Sequence, residues 1–163
     1  MNRLIRIGAT AALALASTLA ISQGAPSPEA QAKSAIENRQ AVFKLIAQQF
    51  GPISGLMRNQ QAPFDAEVVA RNAGRIEVLA GMIPELFERD TREFKDLTTA
   101  ALDGIWESKA DFGGKADALV KAAASLSAAA KGGDRAATVA AAGEVGRACG
   151  ACHDAYRAKP AGR

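Results

Sequence analysis

The chain has 163 residues, 48% hydrophobic and 23% charged, which makes one ordinary globular domain and excludes a disordered tail or a multidomain enzyme. Aromatics are 5% and alanine crowds residues 116–142, a composition that favours helix over sheet. The formal charge of +3 falls to +1 once the first 22 residues are set aside (18 basic against 17 acidic), and no basic stripe interleaved with aromatics supports nucleic-acid binding.

Residues 1–22 read as a secretory signal. Arg3 and Arg6 precede an uncharged run of Ala, Leu, Thr and Ser, and Ala20 and Ser22 suit cleavage before Gln23, with sites as far as Ala25 compatible. The alternative is a membrane anchor, but the run is short for the roughly 20 residues of a span. Its small residues also make it weakly hydrophobic. The expected mature protein is one soluble domain, residues 23–163, in the periplasm, with no membrane span after cleavage.

Four helical stretches follow. Ser27-Pro28-Glu29 supplies a capping hydroxyl, a proline where no donor is needed and an acid in the first turn. Apolar positions then recur at Ile36, Phe43, Ala47 and Phe50, and Gly51-Pro52 predicts a kink or break before the helix resumes to about Arg58. After a polar connection, the second stretch opens at Asp65 with the face Val69, Ala73, Ile76, Leu79 and Ile83, and Pro84 is expected to end it. Residues 85–105 read as a long, partly ordered connection with a turn or two of helix. The third stretch, about 106–130, aligns Phe112, Ala116, Leu119, Ala123, Leu126 and Ala130, its start weakened by Gly113-Gly114. Lys131-Gly132-Gly133-Asp134 is a stop, a loop and a new cap. The fourth places Val139, Ala142, Val145, Cys149, Cys152 and Tyr156 on one face, and Pro160 closes it. No segment alternates with period two, so no strand is expected. Four such helices, two short loops and one long one predict an all-α, antiparallel up-down-up-down four-helix bundle. Periodicity alone leaves another helix order open.

One motif carries chemistry: Cys149-Gly150-Ala151-Cys152-His153. CxxCH is the attachment signature of c-type haem. Each thiol adds across a haem vinyl group, thiols three apart share one helix face, and the adjacent imidazole can turn under the iron. Gly150 and Ala151 keep the porphyrin side small. A redox CxxC would accompany a βαβ pattern, which is missing, and a zinc site would need a second ligand pair, which the chain lacks.

With this motif near the C-terminus, the chain resembles the cytochrome c′ family over residues 31–159. The strongest runs are Asn38-Arg39-Gln40-Ala41-Val42-Phe43, Gln61-Ala62-Pro63-Phe64-Asp65, Ile105-Trp106 and residues 149–157 (CGACHDAYR). The resemblance implies an antiparallel four-helix bundle holding one covalently attached haem c inside one end, commonly dimerised through the first two helices. One departure is visible: the family often has a proline shortly before the Ile-Trp pair, where this chain reads Leu102-Asp103-Gly104.

The same resemblance assigns roles. His153 is the proximal iron ligand, and Cys149 and Cys152 form the thioethers. Arg39 and Gln40 contact the propionates, Phe43 fills the distal pocket, Trp106 lies near the haem, and Arg157 sits in the proximal pocket. Each has a plainer alternative: core packing for Phe43 and Trp106, a solvated helix face for Arg39, a cation on the helix dipole for Arg157. Methionine-ligated relatives carry a methionine near the position of Phe43; Met57 or Met82 would ligate iron here only if the helix register differed, and methionine is more often core filler. The implied function is not enzymatic: a five-coordinate, high-spin haem protein with a redox-active Fe(III)/Fe(II) centre that binds nitric oxide and sometimes carbon monoxide. The alternative is a one-electron carrier with a six-coordinate, low-spin haem, serving redox partner proteins. A peroxidase would want a distal acid–base group, and the lone histidine is spent on the proximal side.

Overall fold

The computed structural model describes residues 25–59 and 61–159; the signal-like run 1–22 and Pro160 lie outside them. Among the described residues six helices form: α1 (Pro28–Arg58), α2 (Ala66–Gly81), α3 (Ile83–Leu86), α4 (Gly104–Glu107), α5 (Lys109–Lys131) and α6 (Arg135–Tyr156). The four long ones close a ring in which α1 packs on α2, α2 on α5, α5 on α6 and α6 on α1. This is the antiparallel four-helix bundle. Among the described residues there is no strand, only an isolated antiparallel bridge between Ala101 and Arg157.

The helix starts follow their sequence signals. Ser27 Oγ accepts from Ala30 N–H, Asp65 from Val68 N–H, and Asp134 from Ala136 and Ala137 N–H. Gly133 takes φ of 74°, the left-handed turn that lets α6 fold back on α5. On α5 all six apolar positions of the predicted face are buried. Helix α1 is richer than expected. Ile36, Arg39, Val42, Ile46, Ile53 and Leu56 are buried, whereas Phe43 and Phe50 are half-buried and Ala47 is exposed. Of the predicted Ile36–Phe43–Ala47–Phe50 stripe, Ile36 is buried, Phe43 and Phe50 pack against the edge of the core, and Ala47 is exposed.

Several expectations are corrected. Helix α1 runs unbroken through Gly51-Pro52. An interior proline costs about 3 kcal/mol, but the carbonyl it frees belongs to the exposed Gln48, where water can take it. Ile53 and Leu56 beyond it are buried, each contributing about 1.5–3 kcal/mol. Pro84 does not end α2, which stops at Gly81; it occupies the first turn of α3, where a missing N–H costs nothing. The third stretch breaks at Ser108 into α4 and α5, and α5 continues through Gly113-Gly114. Val139 is half-buried while its neighbour Thr138 is buried, so the start of α6 is rotated by one position.

The 85–105 connection is ordered rather than loose. Phe87, Thr91 and Ile105 are buried within it. Its end is stitched to the end of α6: Leu102 N–H donates to Tyr156 O at 3.0 Å and Ala158 N–H to Ala100 O at 2.8 Å.

Candidate haem site

Cys149, Cys152 and His153 lie in the last two turns of α6 and are all half-buried. The two thiols are free rather than joined. Burial pushes both above the ordinary thiol value; at Cys152 the Lys115 ammonium works against that shift. Burial, and then the charge of Arg157, hold the His153 imidazole below its usual value. It is therefore neutral at pH 7, the form that a metal accepts.

These residues border two adjoining cavities of about 260 and 250 Å³. Phe43, Cys152, His153 and Arg157 are walls of both. The first cavity extends to Arg39, Gln40, Phe87 and Tyr156, and the second to Ala47, Phe50, Leu119 and Cys149. Phe43, Ala47 and Phe50 of α1 thus share the second cavity with Cys149, Cys152 and His153 of α6. Two unpaired thiols and a neutral imidazole on one wall, with apolar side chains opposite, fit a porphyrin held by CxxCH.

The structure gathers seven of the eight residues singled out in the sequence around these cavities. Trp106 is the exception. It borders neither and packs behind the wall on Phe87, ring centroids 6.1 Å apart, with Nε1 donating to Phe87 O at 3.0 Å. Arg39 is not a solvated residue. It is 3% exposed, and its Nε, Nη1 and Nη2 donate to Leu86 O, Thr91 Oγ1 and Arg89 O at 2.8, 2.9 and 2.6 Å. Burial lowers its affinity for the proton and Asp90 opposes this, but a guanidinium remains charged. Three of its five N–H donors are used. Gln40 is exposed, its Nε2 3.5 Å from Thr98 O. Arg157 is exposed, four residues beyond His153.

Sequence reasoning missed Phe87, Thr91 and Asp111. The first two fall in a charge-rich segment without periodicity; the only available signal was a lone phenylalanine among Glu85, Glu88 and Arg89. Asp111 accepts from the Tyr156 hydroxyl at 2.6 Å and lies 3.6 Å from Lys115 Nζ. This tie joins the start of α5 to the end of α6 beside His153.

The tie has a pH signature. The Tyr156 hydroxyl bond first, then the Lys115 charge, hold the Asp111 carboxyl below its ordinary range. Its stabilisation is present above the ordinary carboxylate value, about 4, and is lost as pH falls through the lowered folded value. The same bond pushes Tyr156 up to about 12, so the hydroxyl keeps its proton until pH rises through that value. Urea unfolding should show Tyr156→Phe less stable than the parent at pH 7, with the gap narrowing below pH about 4. A gap that stays constant through acid would show that the bond contributes nothing.

Comparison with known proteins meets this geometry. The family model described as Cytochrome C' matches residues 34–157. The cytochrome c-554 of Cereibacter sphaeroides is 36% identical over 149 residues, covering 91% of this chain and 96% of that one. The cytochrome c′ of Rubrivivax gelatinosus is 39% identical over 125 residues, covering 77% and 95%. Its crystal structure matches with a TM-score of 0.68 at 38% identity, over 77% of this chain and 96% of that one. A nitric oxide complex of a variant cytochrome c′ from Alcaligenes xylosoxidans matches with a TM-score of 0.69 at 34% identity, over 78% and 97%. The matched span includes every residue that borders the two cavities, and the chain belongs to the cytochrome c′ family, whose c-type haem is covalently attached.

Proposed function

We propose that this chain is an exported, periplasmic and non-enzymatic haem protein that binds nitric oxide at a five-coordinate, high-spin iron. One observation carries the reading. Phe43, which offers no lone pair, is the α1 side chain common to both cavities that His153 borders. Met57 and Met82, the two methionines among the described residues, are exposed and border neither cavity. When bound, the haem supplies a redox-active iron, Fe(III)/Fe(II), able to accept a diatomic gas.

The chain's own residues do the rest. Cys149 and Cys152 hold the macrocycle on one face of α6. His153 would supply the iron with a neutral imidazole. Phe43 fills the space where a sixth ligand would enter and gives oxygen no hydrogen-bond donor. Gln40 and the two unused donors of Arg39, which both border the first cavity, would meet the propionates there. Arg157, four residues beyond His153 and bordering the same cavities, would offer a cationic donor on the proximal side. Trp106 supports this wall from behind. The nitric oxide complex of a relative supports the choice of gas, and carbon monoxide is a second ligand. Redox partner proteins exchange electrons with the iron.

Adding each gas separately to ferrous protein prepared without air tests this. Nitric oxide should shift the Soret band to an endpoint, and oxygen should leave only oxidised protein. A stable oxygen complex, or no response to nitric oxide, would overturn the reading.

Export rests on the signal-like run 1–22. No helix among the described residues is long and apolar enough to cross a membrane. Pairing of two copies through α1 and α2 agrees with the apolar side chains that these helices leave uncovered: Val78 is 69% exposed and shares a surface cavity with Leu45 and Leu79. Sedimentation equilibrium should give a dimer mass for the parent and a monomer mass for Val78→Lys. A monomeric parent would contradict the pairing.

A further inference from the structure

A half-buried phenylalanine on a helix has two open χ1 wells. Something outside α1 must therefore decide how Phe43 leans between the two cavities it borders. On the side of the first cavity its neighbour is the ring of Phe87, 6.3 Å away between centroids and tilted by 59°. Phe87 is itself held from every side. The Phe112 ring meets it edge-on at 4.9 Å, and the Arg39 guanidinium lies over it at 4.5 Å.

Its backbone is fixed as well. Arg39 donates to the carbonyls of Leu86 and Arg89 and to the hydroxyl of Thr91, and Trp106 donates to the carbonyl of Phe87 itself. These four bonds bracket one residue of a segment that has no long helix to hold it. Arg39 stands one turn before Phe43 on α1, so the clasp and the ring it serves share a helix.

We propose that Phe87, clamped by Arg39 and Trp106, is a positioning residue for Phe43 that restricts gas entry to the iron. The proposal rests on the reading of Phe43 as the distal residue. It gives Arg39 a role beyond a propionate contact: the guanidinium holds the backstop in place. It also gives Trp106, which borders neither cavity, a role through its bond to the Phe87 carbonyl. With the backstop removed, the Phe43 ring leans out of the entry path and ligand reaches the iron faster.

Flash photolysis of carbon monoxide from the ferrous holoprotein reads this as a rebinding rate. Phe87→Leu keeps apolar volume and removes the ring; rebinding should accelerate about fivefold to tenfold, the factor that corresponds to one aromatic pair. Thr91→Val removes one anchor of the clasp at constant shape and should give a smaller acceleration. Phe43→Ala is the reference and should be the fastest. A residue that only stabilised the fold would lower the melting temperature and leave rebinding unchanged. Parental rebinding in Phe87→Leu beside a fast Phe43→Ala would overturn the positioning role. Parental rebinding in Phe43→Ala would instead overturn the distal reading and the proposal with it. Should Phe87→Leu fail to fold, Thr91→Val decides alone: acceleration supports the clasp, and an unchanged rate removes it.

Discussion

Serine at both Cys149 and Cys152 yields a purified chain whose intact mass is that of the polypeptide alone and whose fold is substantially weaker. The covalent link needs sulfur, and serine oxygen does not add to a vinyl group under these conditions. The loss of stability follows from the site. The haem would fill two cavities of about 260 and 250 Å³, both bordered by the half-buried Phe43 and the second also by Phe50. A tethered group acts at an effective concentration on the order of millimolar. For a site of micromolar affinity that corresponds to about 4 kcal/mol of stabilisation, a large share of what a domain of this size possesses. Far-UV circular dichroism during urea unfolding should show the midpoint fall accordingly. An unchanged midpoint would mean that the cavities collapse without the group and that the bundle does not depend on it.

Phe43→Met converts the iron from an open to a closed coordination sphere. The side chain is half-buried, so the exchange of a ring for a flexible thioether of similar bulk costs the fold little. The chemistry changes completely, because a sulfur lone pair now stands where a phenyl stood. The ferric protein should become low-spin. A gas must then wait for the thioether to leave, and its apparent affinity falls by the fraction of time that the site is open. With the thioether bound ten to a hundred times more often than not, affinity drops by about one to two orders of magnitude. Nitric oxide titration of the variant beside its parent measures the ratio. Equal affinities and a retained high-spin spectrum would show that position 43 does not face the iron.

Much of this was legible in the residues. The alanine-rich face of α5 is read directly from its spacing, since every position on it meets a neighbouring helix. CxxCH marked the proposed tether and iron ligand because the chemistry permits few other spacings. Helix α1 was harder: it buries one stripe in the bundle and offers another to the cavities, so a single apolar period cannot describe it. Pro52 predicted a break that tertiary burial of Ile53 and Leu56 overrides. Phe87 and Thr91 were invisible for a different reason. Their positions are fixed by Arg39, about 50 residues away in sequence, and no local pattern encodes a contact of that range.

The most direct measurement is the electron paramagnetic resonance spectrum of the purified ferric holoprotein, recorded with its optical spectrum. A pure axial high-spin signal is predicted, because Phe43 cannot ligate and neither Met57 nor Met82 borders the cavities. A low-spin signal would contradict the account: the iron would already hold a second ligand from the chain, and the protein would be an electron carrier.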